Sequence, residues 1–200
     1  LTGEQRKLYL ANQDRIAQQV QHREASEFKK DKLKVLAELT KLRQICCDPH
    51  LHYEDYKAGS AKLDACMELV HGALDGGHHI LLFSQFTGML DIIGKRLAKE
   101  DIAFLKLTGA SSKESRAKMV ARFQAGEVPV FLISLKAGGV GLNLTAADVV
   151  IHYDPWWNVA AQDQATDRAH RIGQQHTVTV YKLIAKDTIE ERIMQMQESK

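Results

Sequence analysis

The sequence lacks most of the features that would set it apart from ordinary globular proteins. Its 200 residues hold only three cysteines and three prolines, and no apolar run approaches the roughly 20 residues that span a bilayer. An odd number of cysteines, two of them adjacent, suits a reducing compartment rather than a disulfide scaffold. The formal charge is only +2, which argues against a grip on nucleic acid through bulk positive field alone. We therefore expect one domain, or one domain with an appendage, and no membrane partner.

Several functional signatures are missing as well. The chain opens on Leu1 rather than Met and shows no signal peptide, so we expect it to be a fragment. It contains neither a P-loop nor the dinucleotide-binding fingerprint, and no nucleophile arrangement stands out. Cysteines and histidines cluster at 46–52, but no second pair follows at zinc-finger spacing. Core cysteines beside surface histidines are the better interpretation, and we predict no metal site.

The first part of the chain is predicted to be helical. Residues 2–46 contain no proline and a single glycine, Gly3. Asp31 is a candidate N-cap for an apolar stripe formed by Leu33, Leu36, Leu39 and Leu42. Pro49 ends this segment, and a short polar connector follows at 53–59.

From Ser60 onward, helices and strands alternate. Ser60 is expected to cap a helix that ends at Gly76 and Gly77, and Thr188 is expected to begin the final amphipathic helix. Further helices are predicted at 87–99, around 119–123 and at about 160–170, and short apolar strands at 80–83, 104–107, 130–133, 149–151 and 178–184. This order predicts an α/β fold, a parallel sheet with helices on both faces.

Two loops rich in hydrogen-bond donors follow the first two predicted strands. In open parallel sheets, ligands meet the loops at the carboxyl ends of the strands. Ser84–Thr87 stands at a helix N-terminus and could hold a phosphate, although a plain N-cap is the favoured interpretation of this loop alone. Residues 108–112 precede another helix, and for them phosphate binding and helix capping are evenly balanced.

Three later loops carry stronger signals. Residues 134–143 place three glycines beside Lys136, which lets backbone amides approach an anion. Arg168 and Arg171 lie three apart on one helix face, which suits the negative charge of a transferring phosphoryl group, yet spacing alone favours a solvated face paired with Asp163 and Asp167. The two tryptophans at 156–157 suit either a hydrophobic plug or contact with a nucleic-acid groove.

Taken together, these loops resemble the second RecA-like lobe of superfamily-two helicases, and most closely the SWI/SNF family of DNA-translocating ATPases. The motifs that carry the resemblance are LRQICCDP at 42–49, LFSQF at 82–86, KAGGVGLNL at 136–144, DPWWN at 154–158 and DRAHRIGQ at 167–174. The resemblance covers nearly the whole chain and overturns the solvated-face interpretation of the paired arginines. It implies a helical hinge or protrusion at 1–59, the RecA-like lobe at 60–187 and the start of a brace helix at 188–200.

The resemblance also implies a role for individual residues. Arg171 and Arg168 would be the catalytic arginines that contact the ATP γ-phosphate, with Arg171 the better candidate for the arginine finger. Gln164 and Gly141 would lie on the nucleotide side of the same interface. The implied DNA contacts are Ser84, Gln85, Thr108, Gly109, Lys136, Gly138, Gly139 and Trp157.

The implied function is that of half a motor. The first RecA-like lobe of the same polypeptide would hold ATP and Mg²⁺, double-stranded DNA would be the track, and a DNA-bound protein could be a further partner. We therefore expect this lobe to be inactive as an ATPase by itself. Two alternatives stay open: a non-enzymatic nucleic-acid-binding clamp, and an RNA-dependent superfamily-two enzyme. The short connector at 53–59 favours a prokaryotic source and a cytoplasmic or nucleoid location; a eukaryotic source would place the protein in the nucleus.

Overall fold

The fold consists of one parallel sheet, helices on its two faces, and a helical pair at its base. A computed structural model describes residues 1–21, 28–138, 143–156, 163, 166–167 and 177–199, with the backbone alone at 28–31 and 138. Among these residues, the helices with described bounds are α1 (Gly3–Gln21), α2 (Phe28–Cys47), α3 (Ala61–Asp75), α4 (Thr87–Lys99), α5 (Lys113–Gln124), the short α6 (Leu135–Gly138) and α7 (Ile189–Glu198). A single 3₁₀ turn, Pro49–Leu51, follows α2.

The five strands run parallel in the spatial order β2-β3-β1-β4-β5. They are β1 (Ile80–Ser84), β2 (Phe104–Leu107), β3 (Val130–Ser134), β4 (Val149–His152) and β5 (Thr179–Lys182). β1 lies at the centre, with Ile80 in register with Val130 of β3 and with Val149 of β4. Because all neighbours are parallel, every strand ends at the same edge of the sheet. The α/β fold with a parallel sheet is confirmed.

Alternate residues of the central strands face two separate hydrophobic layers, which explains why their sequences are apolar throughout. Leu82, Leu132 and Ile151 pack on one face against α3 and α4. Phe83 and Ile133 pack on the other face, where Phe123 of α5 is fully buried. Helices therefore cover both faces, as predicted. The last strand differs, because all four residues of β5 are exposed at the sheet edge.

The predicted helix signals are largely confirmed. Ser60 accepts a hydrogen bond from the amide of Leu63 and caps α3 as expected. Thr188, predicted to begin the last helix, is its N-cap and accepts a hydrogen bond from the amide of Glu190. Gly77 has a φ of +72°, a conformation that glycine adopts without strain, and the chain turns there after α3. The prediction of Asp31 as an N-cap is wrong, because α2 already begins at Phe28.

The helices α1, α2 and α7 share a third hydrophobic cluster, which includes Tyr9, Ile45 and Ile189. The predicted apolar stripe of α2 is buried only towards the end of the helix: Leu42 is 4% exposed, whereas Leu36 is 49% and Leu33 is 80% exposed. The cluster joins the first and last segments of the chain, and the three-part division of the chain stays a prediction. In the described ranges, no helix has both the length and the hydrophobicity to cross a membrane.

Candidate nucleic-acid interface

A polar groove of ≈ 460 Å³ opens at the carboxyl edge of the sheet. Its lining combines residues from the ends of β1, β2 and β3 and from α4: Gln85, Thr87, Asp91, Lys106, Thr108, Gly109, Ala110, Ser134 and Lys136. Four of these, Gln85, Thr108, Gly109 and Lys136, were predicted from the sequence as DNA contacts. The structure brings them together although they come from three separate loops.

The loop after β2 combines helix capping with a position on the groove. Ser112 is the N-cap of α5 and accepts a hydrogen bond from the amide of Ser115. The amide of Thr108 donates to the Ser111 hydroxyl at 3.2 Å, and the amide of Ser111 donates back to the Thr108 carbonyl at 3.1 Å. These bonds fix the loop and leave Thr108 and Gly109 on the groove wall. Capping is therefore confirmed for this loop, and its contact with phosphate stays a prediction.

Ser84 differs from the other predicted contacts because its side chain is fully buried. The hydroxyl donates to Asp154 Oδ1 at 2.5 Å and accepts from the amide of Phe86 at 3.1 Å. The second oxygen of Asp154 accepts from the amide of Gln85 at 3.2 Å. The Ser84 hydroxyl thus shapes the loop that carries Gln85 and does not face the groove, so we do not retain it as a phosphate contact. α4 itself begins without a side-chain cap.

Asp154 and His152 stand two residues apart after β4, and burial shifts their pKa values in opposite directions. Burial raises the pKa of Asp154 to about 6, although the bond from Ser84 partly opposes the shift. Burial lowers the pKa of His152 to about 4, and the charge of Lys182 lowers it further. Near pH 5, the folded protein therefore holds Asp154 as a neutral carboxylic acid and His152 as a neutral imidazole.

The two shifts predict opposite pH dependences that cancel in the unmodified protein. As pH falls from 6.5 to 4, His152 binds its proton only in the unfolded state, so stability is lost. As pH falls from 6 to 4, Asp154 binds its proton only in the folded state, so stability is gained. Each contribution amounts to about 3 kcal/mol. The His152→Phe variant should gain stability towards pH 4 relative to its own value at pH 7, and Asp154→Asn should lose it. Urea unfolding between pH 4 and 7 measures both, and parallel profiles for all three proteins would contradict this assignment.

The sequence left two roles open for the tryptophan pair, a hydrophobic plug or a contact with a nucleic-acid groove, and Trp156 has the first of them. It is 1% exposed and meets the rings of Phe83 and His152 edge-on at centroid distances of 6.1 and 5.5 Å. Trp156 is therefore a hydrophobic plug beneath the sheet edge. Arg43 of α2 donates from Nη2 to the carbonyl of Pro155 at 3.0 Å, and this bond ties the segment that carries Trp156 to α2.

His152 links the sheet to the segment that carries the predicted arginines. Its Nε2 lies 3.0 Å from the hydroxyl of Thr166, which is in helical backbone two residues before Arg168. Arg168 and Arg171 themselves lie outside the described residues, as do Gln164, Gly141, Gly139 and Trp157. The backbone of Gly138 ends α6. The predicted roles of these residues stay predictions.

Two groove residues were missed by the sequence analysis, Asp91 and Lys106. Asp91 lies four residues after Thr87, so both are on one face of α4. Lys106 is the outward-facing position of a strand whose neighbours Leu105 and Leu107 are buried. A lysine two residues before Thr108 was the available signal, because side chains two apart on a strand share a face.

The side chains of the cysteine and histidine cluster at 46–52 lie in different surroundings. Cys46 and Cys47 are buried, and burial raises the pKa of the Cys46 thiol to about 12. His50 is exposed, and its Nδ1 lies 2.6 Å from Asp48. The described ranges contain no group of three or more His, Cys, Asp or Glu side chains that could hold an ion. We therefore assign no ligand for Mg²⁺ to the described part of this chain.

Comparison with known proteins identifies the family. Residues 61–173 match the helicase conserved C-terminal domain, more than half of the chain. This chain belongs to that family. The fold also resembles a Sulfolobus solfataricus SWI2/SNF2 ATPase C-terminal domain, with a TM-score of 0.82 and 34% identity over 99% of this chain and 81% of that one. The SWI/SNF-type second lobe predicted from the motifs is thus confirmed at the level of the family.

Several relatives extend the comparison. The Sulfolobus SWI2/SNF2 ATPase core in complex with dsDNA matches 100% of this chain and 42% of that one, with a TM-score of 0.85 and 37% identity. An uncharacterized ATP-dependent helicase of Mycoplasma pneumoniae is 43% identical over 97% of this chain, and the putative ATP-dependent helicase/translocase YwqA of Bacillus subtilis is 45% identical over 83%. The chain spans only 18% and 19% of the lengths of these two relatives.

Proposed function

We propose that this chain is the second lobe of an ATP-dependent double-stranded-DNA translocase, and that the polar groove holds the phosphates of one DNA strand. The observation that carries the proposal is the convergence of Gln85, Thr108, Gly109 and Lys136 on one groove from three loops. A SWI2/SNF2 ATPase core that matches the whole length of this chain is described as a complex with dsDNA, which supports DNA as the ligand of the groove.

The groove offers the chemistry that a phosphate backbone requires. Lys136 supplies a positive charge, Thr108 supplies a side-chain donor, and Gly109 has open space where a side chain would stand. Contacts of this kind fix the position of a duplex without reading its sequence. We therefore propose sequence-independent binding, in which a few directed contacts replace a strong overall charge.

ATP hydrolysis would require the first RecA-like lobe, which would carry the P-loop. Arg171 and Arg168 would reach the γ-phosphate across the cleft, with Gln164 and Gly141 on the nucleotide side. ATP and Mg²⁺ would be held mainly by the P-loop lobe, because the present chain has no P-loop. The relatives named ATP-dependent helicases support the use of ATP.

The ends of β1 and β4 would connect the DNA groove with the ATP interface that Arg168 and Arg171 are predicted to form. Asp154 holds the amide of Gln85 beside the groove, and His152, two residues earlier, contacts Thr166 of the arginine-bearing segment. Closure of the lobes on ATP would shift this segment, and the sheet edge would pass the shift to the phosphate contacts. Alternating closure would move the protein along DNA without requiring strand separation.

The test of this function joins the lobe to a P-loop lobe and measures ATP hydrolysis. Duplex DNA is expected to stimulate turnover more than duplex RNA of the same sequence. A larger effect of RNA would identify an RNA-dependent enzyme. Binding of DNA without any hydrolysis would identify a clamp, and either result would overturn the proposal.

Replacing Lys136 with alanine tests the groove itself. Each phosphate contact makes the fall of log K with log salt concentration steeper by about 0.9. Loss of one contact should therefore weaken duplex binding about eightfold at 0.1 M salt. Fluorescence anisotropy with labelled duplex DNA over a salt series measures the affinity and the slope. Lys118→Ala on the exposed face of α5 is the matched control and should change neither. Equal binding by the Lys136 variant and this control would exclude Lys136 as a phosphate contact.

A further inference from the structure

Two opposite charges face each other in the groove beside the predicted phosphate contacts. The ammonium group of Lys106 on β2 forms an ion pair with Oδ1 of Asp91 on α4. Both residues line the groove together with Thr108 and Lys136. Neither belongs to the motifs that identified the family, so their presence here needs its own explanation.

The exposure of the pair shows that it contributes little to folding. The side chains are 40% exposed for Lys106 and 55% exposed for Asp91. Half-exposed ion pairs add little to stability, because water screens the attraction and both long side chains lose freedom. Lys106 is therefore held within the groove but is easily released to a partner that offers more negative charge.

A phosphate group is such a partner. It presents a full charge on several oxygens, and a lysine that neutralises it also releases condensed counterions from the duplex. Asp91 presents a negative charge on the same groove and would repel the phosphate that Lys106 attracts. The two side chains thus act on a bound nucleic acid in opposite directions.

We propose that Lys106 is a further phosphate contact of the DNA groove, and that Asp91 competes with the phosphate for it. The inference rests on the proposed function, because it assigns a role within the same groove. Binding of the strand exchanges the carboxylate of Asp91 for a phosphate on the ammonium group. Loss of the strand restores the original pair. Asp91 thereby keeps the grip weak enough for the lobe to release its track in every cycle.

The experiment measures duplex binding by the chain, by three groove variants and by one control variant. Lys106→Ala should weaken binding about eightfold at 0.1 M salt and lower the salt slope by about 0.9. Asp91→Asn removes both the competing carboxylate and the repulsion, so it should tighten binding about threefold to fivefold. In the Lys106→Ala background, Asp91→Asn should have a smaller effect, since no lysine is left to release. Lys99→Ala, an exposed lysine at the end of α4, is the control for loss of charge.

The outcomes separate this inference from the proposed function. If Lys136→Ala weakens binding while Lys106→Ala behaves like Lys99→Ala, the groove binds DNA and the role of Lys106 is refuted. If neither groove lysine matters, the groove is not the nucleic-acid site and the proposed function fails. If Asp91→Asn has the same effect with and without Lys106, Asp91 acts by repulsion alone and the competition is refuted. Thermal unfolding of each variant identifies any loss of binding that reflects misfolding, and Lys106→Gln then replaces the alanine variant.

Discussion

Replacing Arg171 with alanine is expected to lower DNA-stimulated ATP turnover by about 10³–10⁵-fold when this lobe is joined to a P-loop lobe. An arginine finger neutralises the charge that develops on the γ-phosphate in the transition state, and a methyl group cannot do so. The effect should appear in kcat, because the finger acts on the transition state more than on bound ATP. Steady-state ATP hydrolysis with saturating duplex DNA measures it.

Three comparisons make the assignment of Arg171 specific. Arg171→Lys keeps the charge but loses the planar fork, so it should recover only a small part of the activity. Arg122→Ala removes an exposed arginine of α5 that pairs with Glu127 and should leave turnover unchanged. Duplex binding by Arg171→Ala should match that of the unmodified lobe. Unaltered turnover in Arg171→Ala would show that this residue does not complete the ATP site. Strong turnover by residues 1–200 alone would show that hydrolysis does not need a P-loop lobe.

The sheet and most of its helices could be predicted from the sequence because local signals and the final fold agree. The apolar run at 80–83 is buried on both faces, as a central strand of a parallel sheet should be. The helix predicted at 87–99 is observed as Thr87–Lys99. Ser60 and Thr188 cap helices because hydroxyl side chains satisfy amides that the first turn leaves unpaired.

One failed prediction concerns a helix boundary, since Asp31 has the chemistry of a cap but α2 begins earlier, at Phe28. Other features depend on contacts between distant parts of the chain. Ser84 has the chemistry of a phosphate contact, but Asp154, 70 residues away, binds its hydroxyl. The Lys106–Asp91 ion pair could not be predicted from the sequence either, because no local pattern indicates that β2 and α4 bring these residues together. A residue type predicts what a side chain can do, and tertiary structure decides which partner it meets.

Replacing Lys62 with methionine is expected to destabilise the fold by about 3–5 kcal/mol. Lys62 of α3 pairs with Glu190 of α7, and the two side chains are only 4% and 0% exposed. Burial lowers the pKa of Lys62, but the charges of Glu190 and Cys47 and the hydrogen bond to Glu190 together raise the pKa overall, so the lysine keeps its charge. Removing the lysine leaves a buried carboxylate without its counter-charge. Urea unfolding monitored by circular dichroism measures the loss.

A double variant distinguishes loss of the ion pair from loss of packing. Glu190 Oε1 also accepts from the amide of Ala185 at 2.8 Å, and glutamine can keep that bond. Lys62→Met combined with Glu190→Gln should therefore recover most of the stability, because no buried charge remains. Lys7→Met, at an exposed pair with Glu4, should change little. If the double variant is less stable than Lys62→Met alone, the charge of Glu190 serves another partner. Recovery would show that the loss in Lys62→Met comes from the buried carboxylate of Glu190 left without its counter-charge, and not from lost packing.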